Sequence, residues 1–394
     1  MRTLRRDGLV VRLAVPTFIV GFTGQVVSLL ARIAVSYQAV DLGMSPAGVL
    51  LLSSSFAFLP IFLAVALGRY TDRNGSGPVV MFGSVLMLIG AVLPLIVSGS
   101  IAVLGVSMAT MGVGQTLQIA ALQSEISQVA RPRQRDRMIA SFMVYQSLGQ
   151  IAAPLLLSAM GAGLPGVIYT KLLIAAAAIA SIQLVATLPI LHAARQPSPA
   201  DAPMPLSAII ATPGLVWLAV AGSLCVAAQD VIYVYIPVVG SERGISPSAV
   251  GFALGAFAVT QMLARVIYAQ LALWYGRLAL MNLGLLATCL CLAGITFSGD
   301  IITLTLLLAG TGLALGLGVT SAVSMTMQHA PASAKATTLS MRLAVNRAAQ
   351  FAVPLLGGAV APWLGTGAVF FALGGMIGAC LTTIPVTLTG SKEK

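Results

Sequence analysis

The side chains that could do chemistry in this sequence are charged and amide groups set inside long apolar stretches. Asp230 and Tyr233 lie three residues apart, and Asn346, Arg347 and Gln350 follow one another closely further along the chain. Spacings of three and four residues place side chains on one face of a helix. Such faces can bind a small solute or hold a proton. Asp230 is the candidate for proton coupling, because we find no other carboxylate deep within an apolar stretch.

Further polar candidates share the same apolar setting. The binding candidates among them are Arg32, Gln115, Gln118, Gln146 and Arg265, with Gln25, Gln150, Gln229 and Gln261 as additional amides. A charged side chain in lipid is costly, so each charged candidate is a functional-site hypothesis. Two structural interpretations stay open. Amides often bridge membrane helices, and Arg265 can snorkel towards a helix end.

The composition requires a membrane around these stretches. Of 394 residues, 58% are apolar and only 8% are charged, whereas about a quarter of a soluble domain is charged. A water-soluble enzyme is therefore excluded, and we predict an all-α membrane protein with twelve transmembrane helices. The apolar stretches cover residues 12–37, 46–68, 78–98, 101–129, 138–160, 166–191, 212–239, 247–271, 278–298, 301–328, 338–360 and 365–388.

Most of the 21 lysine and arginine residues fall on one side of the predicted membrane. Because cytoplasmic loops carry the excess of basic residues, both termini are expected in the cytoplasm of a cell with a bacterial-type inner (plasma) membrane. The arginine-rich loop 131–137 could be mistaken for a nucleic-acid patch. We expect it to contact anionic lipid headgroups and not nucleic acid.

Sequence patterns recur at a nearly constant offset. The pattern Gly-x-Ser-Pro-x-x-Val occupies residues 43–49 and returns at 244–250, and Gln-x-Ala-x-Pro-Leu-Leu occupies 150–156 and returns at 350–356. Several ordered matches indicate an internal repeat, which predicts two pseudo-symmetric six-helix bundles. The predicted parts are an N-terminal bundle (1–192), a proline-rich cytoplasmic linker (193–211) and a C-terminal bundle (212–394).

A short polar motif lies between the second and third apolar stretches. It reads Gly68-Arg69-Tyr70-Thr71-Asp72-Arg73-Asn74-Gly75 and resembles the G-x-x-x-D-R-x-G signature of the major facilitator superfamily (MFS). With twelve spans and a six-plus-six repeat, the resemblance covers essentially the whole chain. It implies the MFS fold and a secondary transporter that works by alternating access between its halves. It also implies that spans one, four, seven and ten line a central path.

The resemblance implies gating roles at the cytoplasmic ends of the helices. The gating and motif candidates are Gly68, Asp72, Arg73, Gly75 and Glu125. Asp72 is expected to accept hydrogen bonds from a neighbouring helix N-terminus. Glu125 is expected to form a gating or packing ion pair with Arg131 or Arg135, which follow it closely.

Metal, cofactor and enzyme chemistry find no support in the sequence. The four cysteines lie in apolar stretches without Cys-x-x-Cys spacing, and neither histidine has a partner at ligand spacing. A nucleotide-binding motif is absent, as is a Ser/His/Asp cluster that would support a lipid-modifying enzyme. The repeat favours a rocking transporter over a channel, and we expect a monomer.

The balance of deep charges predicts the substrate class. Arg32, Arg265 and Arg347 outnumber Asp230, and a buried guanidinium without a counter-ion is costly. A small organic anion would supply that counter-ion. We therefore predict proton-coupled transport of such an anion, by symport or antiport, with a lean towards export. The alternative is a proton-driven exporter of amphipathic drugs, which the antiporter-like Gly/Pro pattern at 149–154 favours. An Asp230–Arg32 ion pair would be a purely structural role for both residues.

Overall fold

The computed structural model describes residues 2–129, 132–161, 165–191, 214–329, 335–365 and 367–389. Within these ranges the backbone forms twelve α-helices and no β-strand. The helices are α1 (Arg2–Asp41), α2 (Pro46–Asn74), α3 (Ser76–Ile96), α4 (Ile101–Val129), α5 (Pro132–Met160), α6 (Pro165–Leu191), α7 (Leu215–Glu242), α8 (Pro247–Tyr275), α9 (Arg277–Phe297), α10 (Ile301–His329), α11 (Lys335–Leu364) and α12 (Ala368–Thr389).

Eleven of these helices contain a described stretch that is long and apolar enough to cross a membrane. The twelfth helix, α12, contains the shorter described apolar stretch Ala368–Leu381. Because a membrane supplies no hydrogen-bond partners for the backbone, apolar segments of this length are stable there as helices, which satisfy their own N–H and C=O groups. The predicted all-α membrane fold is thus confirmed.

Two helices begin well before the apolar stretches that predict them. Helix α1 begins at Arg2 and helix α5 at Pro132, whereas the apolar stretches begin at residues 12 and 138. The added turns contain arginine, which is a good helix former. Hydropathy marks where the hydrocarbon core begins, and a helix can continue beyond it into the headgroup region.

The repeat is visible in the backbone of the turns. Helices α2 and α8 begin and end at positions 201 residues apart, as do α3 and α9. Ser45 and Ser246 each cap the following helix, with hydroxyl-to-amide distances of 3.2 and 3.3 Å. Gly75 and Gly276, which end α2 and α8, have φ values of 83° and 80°. Only glycine adopts this backbone readily, so both hairpins need glycine at this position.

Close helix packing follows the same repeat. A Cβ atom added to Gly112 on α4 would lie 1.7 Å from the backbone oxygen of Phe56 on α2. A Cβ atom added to Gly312 on α10 would lie 2.2 Å from the backbone oxygen of Phe257 on α8. The two helix pairs therefore touch backbone to backbone, a packing that small residues allow in membrane proteins.

The chain divides into two compact units. The first comprises Met1–Gly43 and Ser55–Ala200, and the second comprises Met44–Ser54 and Asp201–Lys394. In the first unit α1 packs against α4, α5 and α6, and in the second α7 packs against α10, α11 and α12. The predicted linker 193–211 lies outside the described residues, so the domain boundaries there remain a prediction.

Candidate functional site

In the second unit, one amide joins a carboxylate to a guanidinium. Asp230 on α7 is only 8% exposed, and the Nε2 of Gln350 on α11 donates a hydrogen bond to its Oδ2. The Oε1 of Gln350 accepts a hydrogen bond of 3.0 Å from the Nη1 of Arg347. The amide is thus oriented with its donor towards the negative group and its acceptor towards the positive group. We call Asp230, Gln350 and Arg347 the charge relay.

Two uncharged hydrogen bonds flank the charge relay and tie α7 to its neighbours. The Ser223 hydroxyl on α7 donates to Asn346 Oδ1 on α11 over 2.6 Å. Gln261 on α8 donates from Nε2 to Gln229 Oε1 on α7 over 2.7 Å. These bonds hold α7 to α11 and to α8 at the level of the relay. Asn346 therefore helps to hold α11 against α7, the helix of Asp230. It also remains a candidate residue for binding the solute.

Tyr233 and Arg265 lie on the neighbouring helices α7 and α8 of the second unit. Tyr233, one turn after Asp230 on α7, is fully buried and packs edge-to-face on the Phe257 ring, with ring centroids 5.4 Å apart. Arg265, on α8, interacts electrostatically with Tyr233. The structure thus brings Arg265 close to α7, although the snorkelling interpretation remains open.

Arg32 in the first unit occupies the repeat position of Tyr233. It is 4% exposed, and its guanidinium carbon lies 4.3 Å from the centroid of the Phe56 ring. Phe56 is the repeat counterpart of Phe257. The equivalent phenylalanine ring therefore contacts the Arg32 guanidinium in the first unit and the Tyr233 ring in the second. Cation–π contacts stabilise a desolvated guanidinium by about 2 kcal/mol or more. Sequence reasoning missed Phe56, although the offset of 201 residues could have identified it.

Four glutamines of the first unit converge on one small pocket among α1, α4 and α5. They are Gln25, Gln115, Gln118 and Gln146. The remaining lining residues are Val20, Gly21, Gly24, Ile119, Leu122 and Phe142. Gln118 also donates from Nε2 to the Ser84 hydroxyl on α3 over 2.7 Å. We call this site the amide pocket. It gathers three of the predicted binding residues, Gln115, Gln118 and Gln146.

The Gly-x-x-x-Asp-Arg-x-Gly motif at residues 68–75 is described in part. Gly68, Asp72 and Arg73 lie on the α2 backbone, but their side chains lie outside the described residues, so their gating roles remain predictions. Glu125 on α4 accepts a hydrogen bond from the Ser76 hydroxyl at the start of α3. This bond joins α3 to α4 directly after the Gly75 turn. The predicted ion pair of Glu125 with Arg131 or Arg135 also lies outside the described residues.

A model of the Major Facilitator Superfamily matches residues 17–242 and 218–394. The chain belongs to the Major Facilitator Superfamily. This membership confirms the predicted MFS fold and the prediction of a secondary transporter rather than a membrane-embedded enzyme. The protein is therefore a multi-pass membrane protein that moves a solute.

Solved structures similar to this MFS chain are transporters that overlap almost its whole length. A POT family transporter in complex with 5-aminolevulinic acid has a TM-score of 0.78 at 16% identity, covering 95% of this chain and 96% of that one. The nucleoside transporter NupG has a TM-score of 0.79 at 15% identity, covering 95% and 99%. A D-xylose-proton symporter has a TM-score of 0.76 at 14% identity, covering 95% and 97%. At these identities the likeness shows a shared fold. No curated protein sequence matches the chain significantly.

Proposed function

We propose that this MFS protein couples proton movement to the transport of a small organic anion, and that the charge relay performs the coupling. The observation that carries the proposal is the hydrogen-bonded sequence Asp230–Gln350–Arg347, which joins a group that can take up a proton to a group that can bind an anion. Both ends lie on helices of the second unit, α7 and α11, and Asp230 is buried.

The relay has two arrangements of different charge. With Asp230 ionised, the carboxylate accepts from Gln350, and the Gln350 carbonyl oxygen holds the Arg347 guanidinium. When Asp230 binds a proton, its attraction for the amide weakens, because hydrogen bonds to charged groups are roughly twice as strong as neutral ones. Gln350 can then turn, and Arg347 exchanges its amide partner for an anionic solute. Proton binding and anion binding thereby favour each other.

The balance of charge supports an anionic solute. Arg32, Arg265 and Arg347 are all partly or fully buried in helices, and Asp230 is their buried acidic counterpart in the described part of the chain. A bidentate carboxylate or phosphate group fits the planar fork of an arginine. Among the similar structures, a POT family transporter holds 5-aminolevulinic acid, whose name denotes a carboxylic acid.

Direction and orientation belong to the same proposal. Because proton and anion binding favour each other in the charge relay, the mechanism supports symport of the two over proton exchange. The sequence-based lean towards export stays a prediction, and the α5 pattern behind it includes a packing contact: a Cβ atom on Gly149 would lie 2.5 Å from the Phe22 backbone oxygen on α1. The basic loops favour both termini in the cytoplasm of a cell with a bacterial-type inner membrane. Asp72 is proposed to stabilise the state closed to the cytoplasm.

Thermal unfolding of the purified protein with small carboxylates, phosphates, organic cations and neutral amphiphiles tests the substrate class. A ligand present at one hundred times its Kd stabilises the folded protein by about 2.7 kcal/mol. We expect anions to raise the melting temperature and the other classes to leave it unchanged. Stabilisation by cations or neutral amphiphiles alone would favour the drug exporter instead.

Coupling is tested in proteoliposomes loaded with the best-stabilising anion. We expect an imposed pH gradient to accelerate its movement against its own gradient, and a protonophore to abolish that effect. Equal rates with and without the pH gradient would contradict proton coupling while leaving the anion assignment intact.

A further inference from the structure

The amide pocket of the first unit has a chemical character of its own. Its polar wall consists of four primary amides, and no charged side chain contributes to its lining. Each primary amide offers two donors on its nitrogen and two acceptor positions on its oxygen. The pocket therefore presents donors and acceptors together in an uncharged setting.

The four amides differ in how they are satisfied. Gln118 donates to Ser84 over 2.7 Å. Gln115, which is 8% exposed, and Gln25, which is 9% exposed, make no hydrogen bond to any other residue that the structure describes, and the same holds for Gln146. Their polar atoms are not among the fully buried side-chain atoms that lack a hydrogen-bond partner. These amides are therefore accessible to water or to a polar group of a bound solute.

Two glycines of α1 allow the walls of the amide pocket to pack closely. A Cβ atom on Gly24 would lie 2.9 Å from the Gln118 Oε1, and one on Gly21 would lie 2.5 Å from the Phe142 ring. Any larger residue at either position would displace a wall of the amide pocket. The positions of Gln118 and Phe142 around the pocket thus depend on glycine at both positions.

We propose that the amide pocket binds an uncharged hydrogen-bonding group of the transported solute, a hydroxyl or a carboxamide. A carboxylate accepts hydrogen bonds but does not donate them, and an ammonium donates but does not accept. Neither can therefore bond to both the donors and the acceptors of the amide pocket. This inference rests on the proposed function. Taken with the proposed anionic solute, it makes the substrate class a hydroxylated or carboxamide-bearing organic anion.

Binding of matched probes tests the assignment. The pairs are malate and succinate, 4-hydroxybenzoate and benzoate, and the uncharged pair nicotinamide and pyridine, and affinity is measured by thermal shift of the purified full chain. Each neutral hydrogen bond contributes about 0.5–1.5 kcal/mol, so the wild type should bind the hydroxyl- or carboxamide-bearing member roughly 2- to 12-fold tighter. Gln115→Leu should remove that preference and keep any preference for anions.

Arg347→Gln separates this inference from the proposed function. We expect it to remove the preference for anions and to keep the preference for the hydroxylated member of each pair. If no anion binds but the wild type still prefers nicotinamide over pyridine, the proposed function fails and the amide pocket stands. A wild type that does not discriminate within any pair at millimolar concentration overturns the inference about the pocket.

Protein stability distinguishes a binding amide from a structural one without any ligand. Gln115 and Gln118 lie one turn apart on α4, but only Gln118 is bonded within the described chain. We expect Gln118→Leu to lower the melting temperature, because it removes the bond from Gln118 to Ser84, although the Ser84 hydroxyl keeps its own bond to the Val80 carbonyl oxygen. Gln115→Leu should keep or raise the melting temperature. If Gln115→Leu unfolds at as low a temperature as Gln118→Leu, Gln115 is a structural amide and the inference is wrong.

Discussion

The two halves share a backbone but differ in chemistry at equivalent positions. At an offset of 200, Gln146 and Gln150 on α5 correspond to Asn346 and Gln350 on α11, so both halves keep a pair of amides. Ser147 lies between the first pair, and its hydroxyl donates to the Met143 carbonyl oxygen of its own helix over 3.0 Å. Its counterpart is Arg347.

Helices α1 and α7 show the same divergence. Leu29, which is 3% exposed, corresponds at an offset of 201 to Asp230. The second half therefore carries a carboxylate on one helix and a guanidinium on another where the first half has Leu29 and Ser147. Gln350, at a position that is an amide in both halves, connects the two charges. Duplication preserves turns and helix contacts, which depend on glycine geometry, while buried polar positions are free to diverge where a partner satisfies them.

The largest effect should come from changing Arg347, whose counterpart in the first half is the uncharged Ser147. Arg347→Gln removes the guanidinium, so transport of an anionic solute should fall by roughly 10- to 150-fold, the equivalent of a charged hydrogen bond of about 1.5–3 kcal/mol. Arg347→Lys keeps the charge but not the fork, so transport should fall less and anion preference should survive. Uptake rates and binding to purified protein measure both.

Binding of an identified anion to Arg347→Gln at wild-type affinity, in a protein that folds normally, would contradict this role. Arg347 would then be a structural charge held by Gln350. The amphipathic-drug interpretation would become the better one.

Asp230→Asn should abolish accumulation but keep exchange. The asparagine oxygen can still accept from Gln350, so the relay geometry should survive while the proton is no longer bound. For one proton per solute, one pH unit corresponds to about 1.4 kcal/mol or a tenfold accumulation, and the variant should show none. Measurements in proteoliposomes with and without a pH gradient check this. Glu242→Gln, on an exposed carboxylate of the same helix, is the matched control and should accumulate solute as the wild type does.

The shared backbone predicts equal sensitivity at the glycine contacts of the two halves. Gly112→Ala and Gly312→Ala each place a Cβ atom against a neighbouring backbone oxygen, and overpacking of this kind costs about 1–3 kcal/mol. Thermal unfolding in detergent measures the loss. Gly375→Ala on α12, where an added Cβ meets no atom within 4 Å, is the control and should unfold like the wild type. Loss of stability in only one of the two variants would show that the packing is not duplicated.

The sequence predicts the helices well because their length and apolarity are set by the membrane. It predicts the repeat because glycine turns and capping serines keep their spacing. It cannot show which amides are satisfied: Gln115 and Gln118 have the same residue type and apolar setting, and only the position of Ser84 on another helix separates them. The hydrogen bond from Gln350 to Asp230 likewise depends on how α11 packs on α7. The spacing of residues along a single helix does not reveal that packing.

The smallest expected effect concerns the caps at the start of α4 and α10. Ser100 and Asp300 occupy equivalent positions, and their carbonyl oxygens accept from Leu104 and Leu304 over 3.2 and 3.1 Å. The Asp300 carboxylate also accepts from the Thr303 hydroxyl and backbone N–H, and these bonds lower the pKa of Asp300 below its usual 3.8.

Asp300→Ser should make the second cap like the first and remove its pH dependence. Because the folded-state pKa of Asp300 is lowered, its stabilisation is complete above pH 3.8 and is lost as the pH falls through the folded-state value. The melting temperature of the wild type should therefore exceed that of Asp300→Ser slightly at pH 7, and the difference should shrink below pH 3.8. Serine and aspartate are comparable N-caps, so the difference at pH 7 reports the charge on the helix N-terminus. A difference that stays constant from pH 7 to pH 3 would show that the two caps differ in packing and not in charge.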